Sequence, residues 1–205
     1  VMVKPVAKWG GQGVVQVTRL SSGKIGLHED NKKKSFDYVQ EAYQYLRNKL
    51  GSRCIVQQRI PLARVGGRPF DVRVMVQRHA GRQDWKVTGR LAKVAGKGYV
   101  VTNMMRSRGK ILPLESAVKR SNIHRGKERV ASIRRRVDTL ALKSTKWLHR
   151  YYPSITTVGV DIGIDRKGKA WFIEANFKPM LGLFKYLKDK SMYRRIRSYV
   201  KKDGH

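Results

Sequence analysis

The chain has 205 residues, with 46 Lys or Arg against 14 Asp or Glu and a formal net charge of +32. That length suffices for one large domain or two small ones with a real core, and a hydrophobic content of 40% excludes disorder as the default state. A single cysteine, Cys54, excludes an internal disulfide, no apolar run approaches the roughly 20 residues a membrane span needs, and no leader peptide is legible.

The excess of cations predicts attraction to polyanions: nucleotides, nucleic acid, acidic peptides or anionic surfaces. Cys54 lies in the apolar run "CIVQQRI" and reads as a buried strand residue rather than a nucleophile. A reducing, cytoplasmic setting fits it. The chain opens on Val1, within a strand-like "VMVKPV", which reads either as a non-standard start or as a piece of something longer.

In chain order, residues 1–6 predict a strand, "AKWGGQG" a glycine-rich turn and "VVQVTRL" a second strand, together a hairpin with a long tip. "KIGLHE" predicts a third strand, and "DNKKKS" a solvated basic loop. Apolar residues at 36, 39, 42, 43, 46 and 50 have helical spacing, and Gly51 stops that helix. Three strand candidates follow: "RCIVQQRI", "PFDVRVMVQR" and "WKVTGRLAKVA". In the second, alternation puts Asp71 and Arg73 on one face. "GKGYVVTNMMRSRGK" reads as a glycine- and arginine-rich connection. A long helix over "KERVASIRRRVDTLALKSTKWLHRYY" carries an apolar stripe of Val130, Ile133, Val137, Leu140 and Leu148, and Pro153 ends it. "VGVDIGI" and "AWFIEAN" form a hairpin across "DRKG", and the basic tail "LFKYLKDKSMYRRIRSYVKK" is helical. Strands grouped as hairpins with helices packed on them predict an α+β fold.

Carboxylates are scarce here, yet Asp161, Glu174 and the amide Asn176 fall on the two strands of the last hairpin. Asp161 lies between Gly159 and Gly163 on one face, and Glu174 and Asn176 share a face of the second strand. A two- or four-residue connection within 165–168 would put Ile164 opposite Lys169 and Asp161 opposite Phe172. Asp161 and Glu174 are then diagonal neighbours about 7 Å apart. A three-residue turn would turn Asp161 away, because a slip of one residue reverses the face. Converging oxygen donors without Cys or His suit Mg²⁺, which keeps several waters and bridges to substrate phosphates. The same spacing also suits an ordinary hairpin with polar residues on its wet face.

The complementary charge comes from "VKPVAKWGGQGVV". Lys4 ends an apolar strand before a loop containing Gly10, Gly11, Gln12 and Gly13, where glycines let backbone N–H groups approach phosphate oxygens. Neither a P-loop nor G-x-G-x-x-G is present. Arg73, Arg90 and Lys93 lie on the middle strands. Arg73 suits either an ion pair with Asp71 or an anionic phosphate or intermediate.

The order Lys, glycine-rich hairpin, apolar strand ending at Gln57 and Gln58, D-x-R, then D…E-x-N resembles the ATP-grasp superfamily, and most closely its YheC/YheD-like, endospore coat-associated members. The resemblance implies an ATP-grasp-like α+β fold of two subdomains with antiparallel sheets gripping the nucleotide, starting at the hairpin without the usual preceding domain. Residues 1–58 would be the small lid subdomain, and 59–205 the large one with the Mg/phosphate site and the basic C-terminal helices. It further implies that Lys4 contacts the phosphates of ATP, that Gly10, Gly11, Gln12 and Gly13 cover them, and that Gln57 and Gln58 border the adenine. Asp161, Glu174 and Asn176 would hold one or two Mg²⁺, while Arg73 and Lys93 would serve catalysis at the transferred phosphate. Lys93 stands where the superfamily commonly has arginine.

Two functions follow. The first is an ATP-dependent carboxylate–amine ligase, or its C-terminal catalytic part, acting on an acidic peptide or another carboxylate. The second is a non-catalytic, basic spore-coat or nucleic-acid-binding protein on a degenerate fold of the same kind, using its basic helices to bind polyanions.

Overall fold

The computed structural model describes residues 1–6, 12–99, 102, 107, 109–123 and 129–202. Backbone contacts divide the chain into two units, Val1–Ile60 with Ala95–Gly109, and Pro61–Val94 with Lys110–His205.

The first unit holds one five-stranded sheet. Its strands are β1 (Met2–Pro5), β2 (Val15–Arg19), β3 (Ile25–Glu29), β4 (Lys32–Phe36) and β5 (Cys54–Gln57), in the order β4-β3-β2-β1-β5 and antiparallel throughout. Val3, Val15 and Leu27 face the helix α1 (Val39–Leu50) and bury with Leu50, while Tyr45, Leu46 and Cys54 pack around them. Cys54 is thus half-buried at the margin of this small core, not enclosed, with its Sγ 3.7 Å from the Gly51 carbonyl. Helix α1 starts where Glu41 reaches back to the Tyr38 N–H at 3.5 Å and stops at Gly51, whose φ of +82° no L side chain adopts cheaply. The stretch "DNKKKS" is not a loop: Lys32–Phe36 pairs with β3 from Ile25↔Phe36 to Glu29↔Lys32.

The second unit is a six-stranded antiparallel sheet with helices on it. The strands are β6 (Arg64–Val65), β7 (Arg68–Gln77), β8 (Lys86–Val94), β9 (Lys110–Leu112), β10 (Thr157–Ile164) and β11 (Ala170–Asn176). Their order is β11-β10-β7-β8-β9, with β6 beside β7. Helices α2 (Leu114–Arg120) and α3 (Arg129–Tyr151) cover one face, followed by the 3₁₀ turn Leu181–Tyr186 and α4 (Ser191–Lys202). The basic tail is therefore two short pieces rather than one helix.

Alternation builds the core. Val72, Val74 and Val76 of β7, Val158, Val160, Ile162 and Ile164 of β10, and Ala92 and Val94 of β8 are buried with Ile133, Val137 and Ala141 of α3 and Leu114 and Ala117 of α2. Each such Val or Ile contributes on the order of 1.5–3 kcal/mol by leaving water. Arg90 belongs to this face too: its Nε and Nη2 donate to Asp138 of α3 at 2.8 and 2.9 Å, fastening helix to sheet. On the opposite face Gly89 admits the 3₁₀ turn and α4, since a Cβ there would lie 2.8 Å from Phe184 Cε1 and 2.8 Å from Ile196 Cδ1.

Candidate functional site

The open stretch of that opposite face carries the charges. Asp161 on β10 lies directly across from Arg73 on β7, and Asp71 across from Lys93 on β8. Arg73 Nε donates to Asp161 Oδ1 at 2.7 Å and Nη2 to Oδ2 at 3.0 Å, a two-pronged pair. Lys93 Nζ sits 3.1 Å from Asp161 Oδ1 and 3.1 Å from Asp71 Oδ1. Arg73 therefore pairs with Asp161, and Asp71 is taken by Lys93.

All four side chains are buried. Burial alone would push the Asp161 carboxyl up, but Lys93 and then Arg73 outweigh it and hold the group well below the usual carboxylate range. Burial likewise opposes the charge on Lys93, and Asp161 and Asp71 overcome it, raising the ammonium above its ordinary value despite the repulsion of Arg73. Arg73 is raised in the same way, chiefly by Asp161 working against burial.

The hairpin reaches its register by an unexpected route. Asp165 Oδ1 accepts from the N–H groups of Lys167 at 2.8 Å and Lys169 at 3.0 Å, and Oδ2 accepts from Trp171 Nε1 at 2.9 Å. Gly168 at φ +77° closes a turn in which the Asp165 N–H donates to the Lys169 carbonyl at 3.1 Å. Ile164 then faces Ala170 rather than Lys169, and Ile162 faces Phe172. On its own this odd turn would send Asp161 to the face away from Glu174. A β-bulge between Asp161 and Ile162 reverses it, so Asp161 lies directly opposite Glu174 instead of diagonal to it. Gly159 faces Asn176. Space beside Gly159 is filled: a Cβ there would meet Pro179 Cβ at 2.6 Å and Arg73 Cδ at 3.3 Å.

Glu174 is exposed and Asn176 half-exposed, with Asn176 Nδ2 3.4 Å from Glu174 Oε1. The Glu174 carboxylate and the Asn176 Oδ1 are oxygens of the kind a hard divalent cation takes. Asp161 is committed further: Arg73 Nε, Arg73 Nη2 and Lys93 Nζ use three of the roughly four lone-pair positions of its carboxylate, leaving Oδ2 one position among the described contacts. Because the group is held ionised, the set fits Mg²⁺, and Asp161 would share its charge between the ion and its two cations. Among the described residues no group of three His, Cys, Asp or Glu could hold a metal, and a cation here would draw a third donor from the amide oxygen of Asn176.

In the first unit, Lys4 is half-buried on β1. It faces Ile55, and its neighbour Met2 faces Gln57 of β5 and Gln16 of β2, so Lys4, Gln16 and Gln57 share the sheet face turned away from α1. His28 continues that face beside Gln16, with Nε2 3.0 Å from the Gly98 carbonyl. Gln58 is exposed. Gln12 is exposed in a turn with Gly13 at φ +71°. Gly10 and Gly11 lie outside the described residues.

Two positions escaped the sequence reading: Asp71 as the second counter-ion of Lys93, and Asp165 as the residue that fixes the turn of the β10–β11 hairpin. For the first, D-x-R spacing on β7 was the available signal. For the second, an aspartate followed by a glycine three residues on marked the turn but not its register.

Two antiparallel sheets, one carrying a lysine strand beside a glycine loop and the other an Asp/Glu/Asn hairpin, have the organisation of an ATP-grasp protein, a fold class that binds ATP and Mg²⁺. The chain belongs to the YheC/D-like ATP-grasp family, whose model matches residues 1–202. It is 27% identical over 192 residues to the endospore coat-associated protein YheD of Bacillus subtilis (strain 168), covering 91% of this chain and 41% of YheD. Among solved structures it is similar to the C-terminal domain of K. lactis Pby1, an ATP-grasp enzyme that interacts with the mRNA decapping enzyme Dcp2. That likeness has a TM-score of 0.46 at 14% identity, over 95% of this chain and 52% of that one. The chain thus spans about half or less of the length of these relatives.

Proposed function

We propose that the chain is the nucleotide-binding, catalytic part of an ATP-dependent carboxylate–amine ligase acting on an acidic acceptor. One observation carries the reading: the facing pair Asp161 and Glu174, with Asn176 beside it, shares a sheet face with two buried cations, Arg73 and Lys93. Oxygen donors for Mg²⁺ beside fixed positive charge are what phosphoryl transfer requires. Glu174, Asn176 and the free position of Asp161 would hold the metal, which when bound neutralises phosphate charge. Arg73 faces the transferred phosphoryl group, and Lys93 keeps Asp161 ionised while offering its own charge to a developing anion. In the first unit, Lys4 would serve the phosphates of ATP, and Gln57 and Gln58 its adenine. The acceptor carboxylate would take the γ-phosphoryl group of ATP with ADP as the leaving group, and an amine would then attack the acyl carbon, forming the amide and releasing phosphate and a proton.

Glu174→Ala is the test. The side chain is exposed, so the fold survives its loss. Mg²⁺-dependent ATP binding by calorimetry and phosphate release should both fall to background. Unchanged ATP consumption in that variant rejects the assignment.

A second reading has its own observation. Asp161 is already neutralised by two cations in the resting protein, as in a nucleotide-binding remnant whose role is assembly. The charge of +32 and the relationship to an endospore coat-associated protein favour a spore-coat component. Retention of MgATP binding without turnover on any acidic peptide distinguishes this reading from the first.

A further inference from the structure

Helix α3 turns its aliphatic residues to the sheet: Ile133, Val137 and Ala141 are buried, and Val130, Leu140 and Leu142 pack against the same core. Its outward side carries Arg135, Thr139, Lys143, Lys146, Trp147 and Arg150, all exposed. Trp147 is 59% exposed and, one turn on, Tyr151 is 72% exposed at the helix end. The Arg150 guanidinium lies over the Trp147 ring, 4.5 Å from its centroid. Between residues 129 and 151 the single carboxylate is Asp138, and Arg90 holds it from the sheet. From Arg135 to Arg150 the stripe runs about 22 Å at about 1.5 Å per residue.

An indole 59% exposed beside a guanidinium, with a second exposed ring one turn on, offers cations and stacking surfaces together. We propose that the outward face of α3 binds single-stranded nucleic acid, with Arg135, Lys143, Lys146 and Arg150 against successive phosphates and Trp147 and Tyr151 stacking bases. Stacking needs a splayed base, which a single strand offers and a duplex withholds. An anionic membrane fits less well, because the aliphatic side chains that would insert are the ones already spent on the core. An acidic peptide would satisfy the cations and leave both rings idle. The site goes beyond the ligase reading and does not depend on it.

The test uses the 205-residue chain and a fluorescein-labelled single-stranded oligothymidylate, followed by anisotropy at several salt concentrations. Binding should weaken steeply as salt rises and should quench tryptophan emission. The double variant Trp147→Ala/Tyr151→Ala should bind about tenfold or more weakly, the loss expected for removing base stacking. Trp147→Phe/Tyr151→Phe should restore most of it. Lys143→Glu/Lys146→Glu should reduce the salt dependence. All are surface changes, and thermal melts check that the fold persists. No binding, equal binding by the alanine and phenylalanine pairs, or polyglutamate competing as well as the oligonucleotide at equal charge would overturn the proposal. Preference for phosphatidylserine vesicles over the oligonucleotide would overturn it as well.

Discussion

Lys93 is a buried ammonium 3.1 Å from each of two carboxylates, and Asp161 is a buried carboxylate held by two cations. Charges so far from water persist only as a mutually compensated set, because removing one member strands another. Arg73→Met should therefore cost about 3 kcal/mol of stability by denaturant titration, while leaving Lys93 to compensate part of the loss. A change indistinguishable from zero would show that the set contributes nothing to folding. The pH dependence has a definite sign. Because the Asp161 carboxyl is held low in the folded chain, its contribution is complete at neutral pH. It is lost progressively as pH falls below about 4, where the unfolded carboxylate takes up its proton first. Asp161→Asn should flatten that part of the stability curve between pH 5 and pH 3, and a variant as acid-sensitive as the parent would remove Asp161 as the cause. Strand alternation alone made it legible that Asp71 and Arg73 share a face. Which carboxylate each cation takes was not legible, because it depends on β10 and β8 flanking β7, and the β7–β10 pairing joins residues 88 positions apart.

At the scale of the element, the hairpin Thr157–Asn176 shows how two irregularities can cancel. Sequence reading correctly put Asp161 on the face of Glu174 but assumed an even turn and a regular ladder. The chain has an odd turn fixed by the Asp165 carboxylate and a bulge that restores the face. A bulge has no compositional signature in a run as uniform as "VGVDIGI". Asp165→Ala should leave the Lys167 and Lys169 N–H groups and the Trp171 indole without that acceptor, costing about 1–3 kcal/mol. If the turn sets the metal register, Mg²⁺ affinity measured by calorimetry should fall with it, and a variant that loses stability while binding Mg²⁺ normally would separate the two. The long helix and most strands were legible from periodicity because their apolar faces are continuous. Lys32–Phe36 was not: three consecutive lysines carry no strand signal, and only its partner β3 makes it one.

For the whole molecule, the α+β class and the antiparallel sheets followed from hairpin-sized spacing between strand runs. The membership of Ala95–Gly109 in the first unit did not, since a segment's allegiance is set by contacts far along the chain. Ligand linkage acts at this scale. If MgATP binds only the folded chain, a concentration of 100 times Kd stabilises it by about 2.7 kcal/mol. The melting temperature should then rise by several degrees with MgATP and return to baseline with a chelator. An unchanged melting curve at millimolar MgATP would count against nucleotide binding itself, and not merely against catalysis.

The side chains of Lys32, Lys33 and Lys34 have a further effect where they lie, along the outermost strand of the five-stranded sheet. The outer rim of such a strand carries backbone N–H and C=O groups that invite another copy of the chain to add itself as a sixth strand. A second molecule approaching rim to rim brings its own lysines against these, and the two rows repel. Replacing the three lysines with threonine should turn a dispersed preparation into a self-associating one, visible by light scattering.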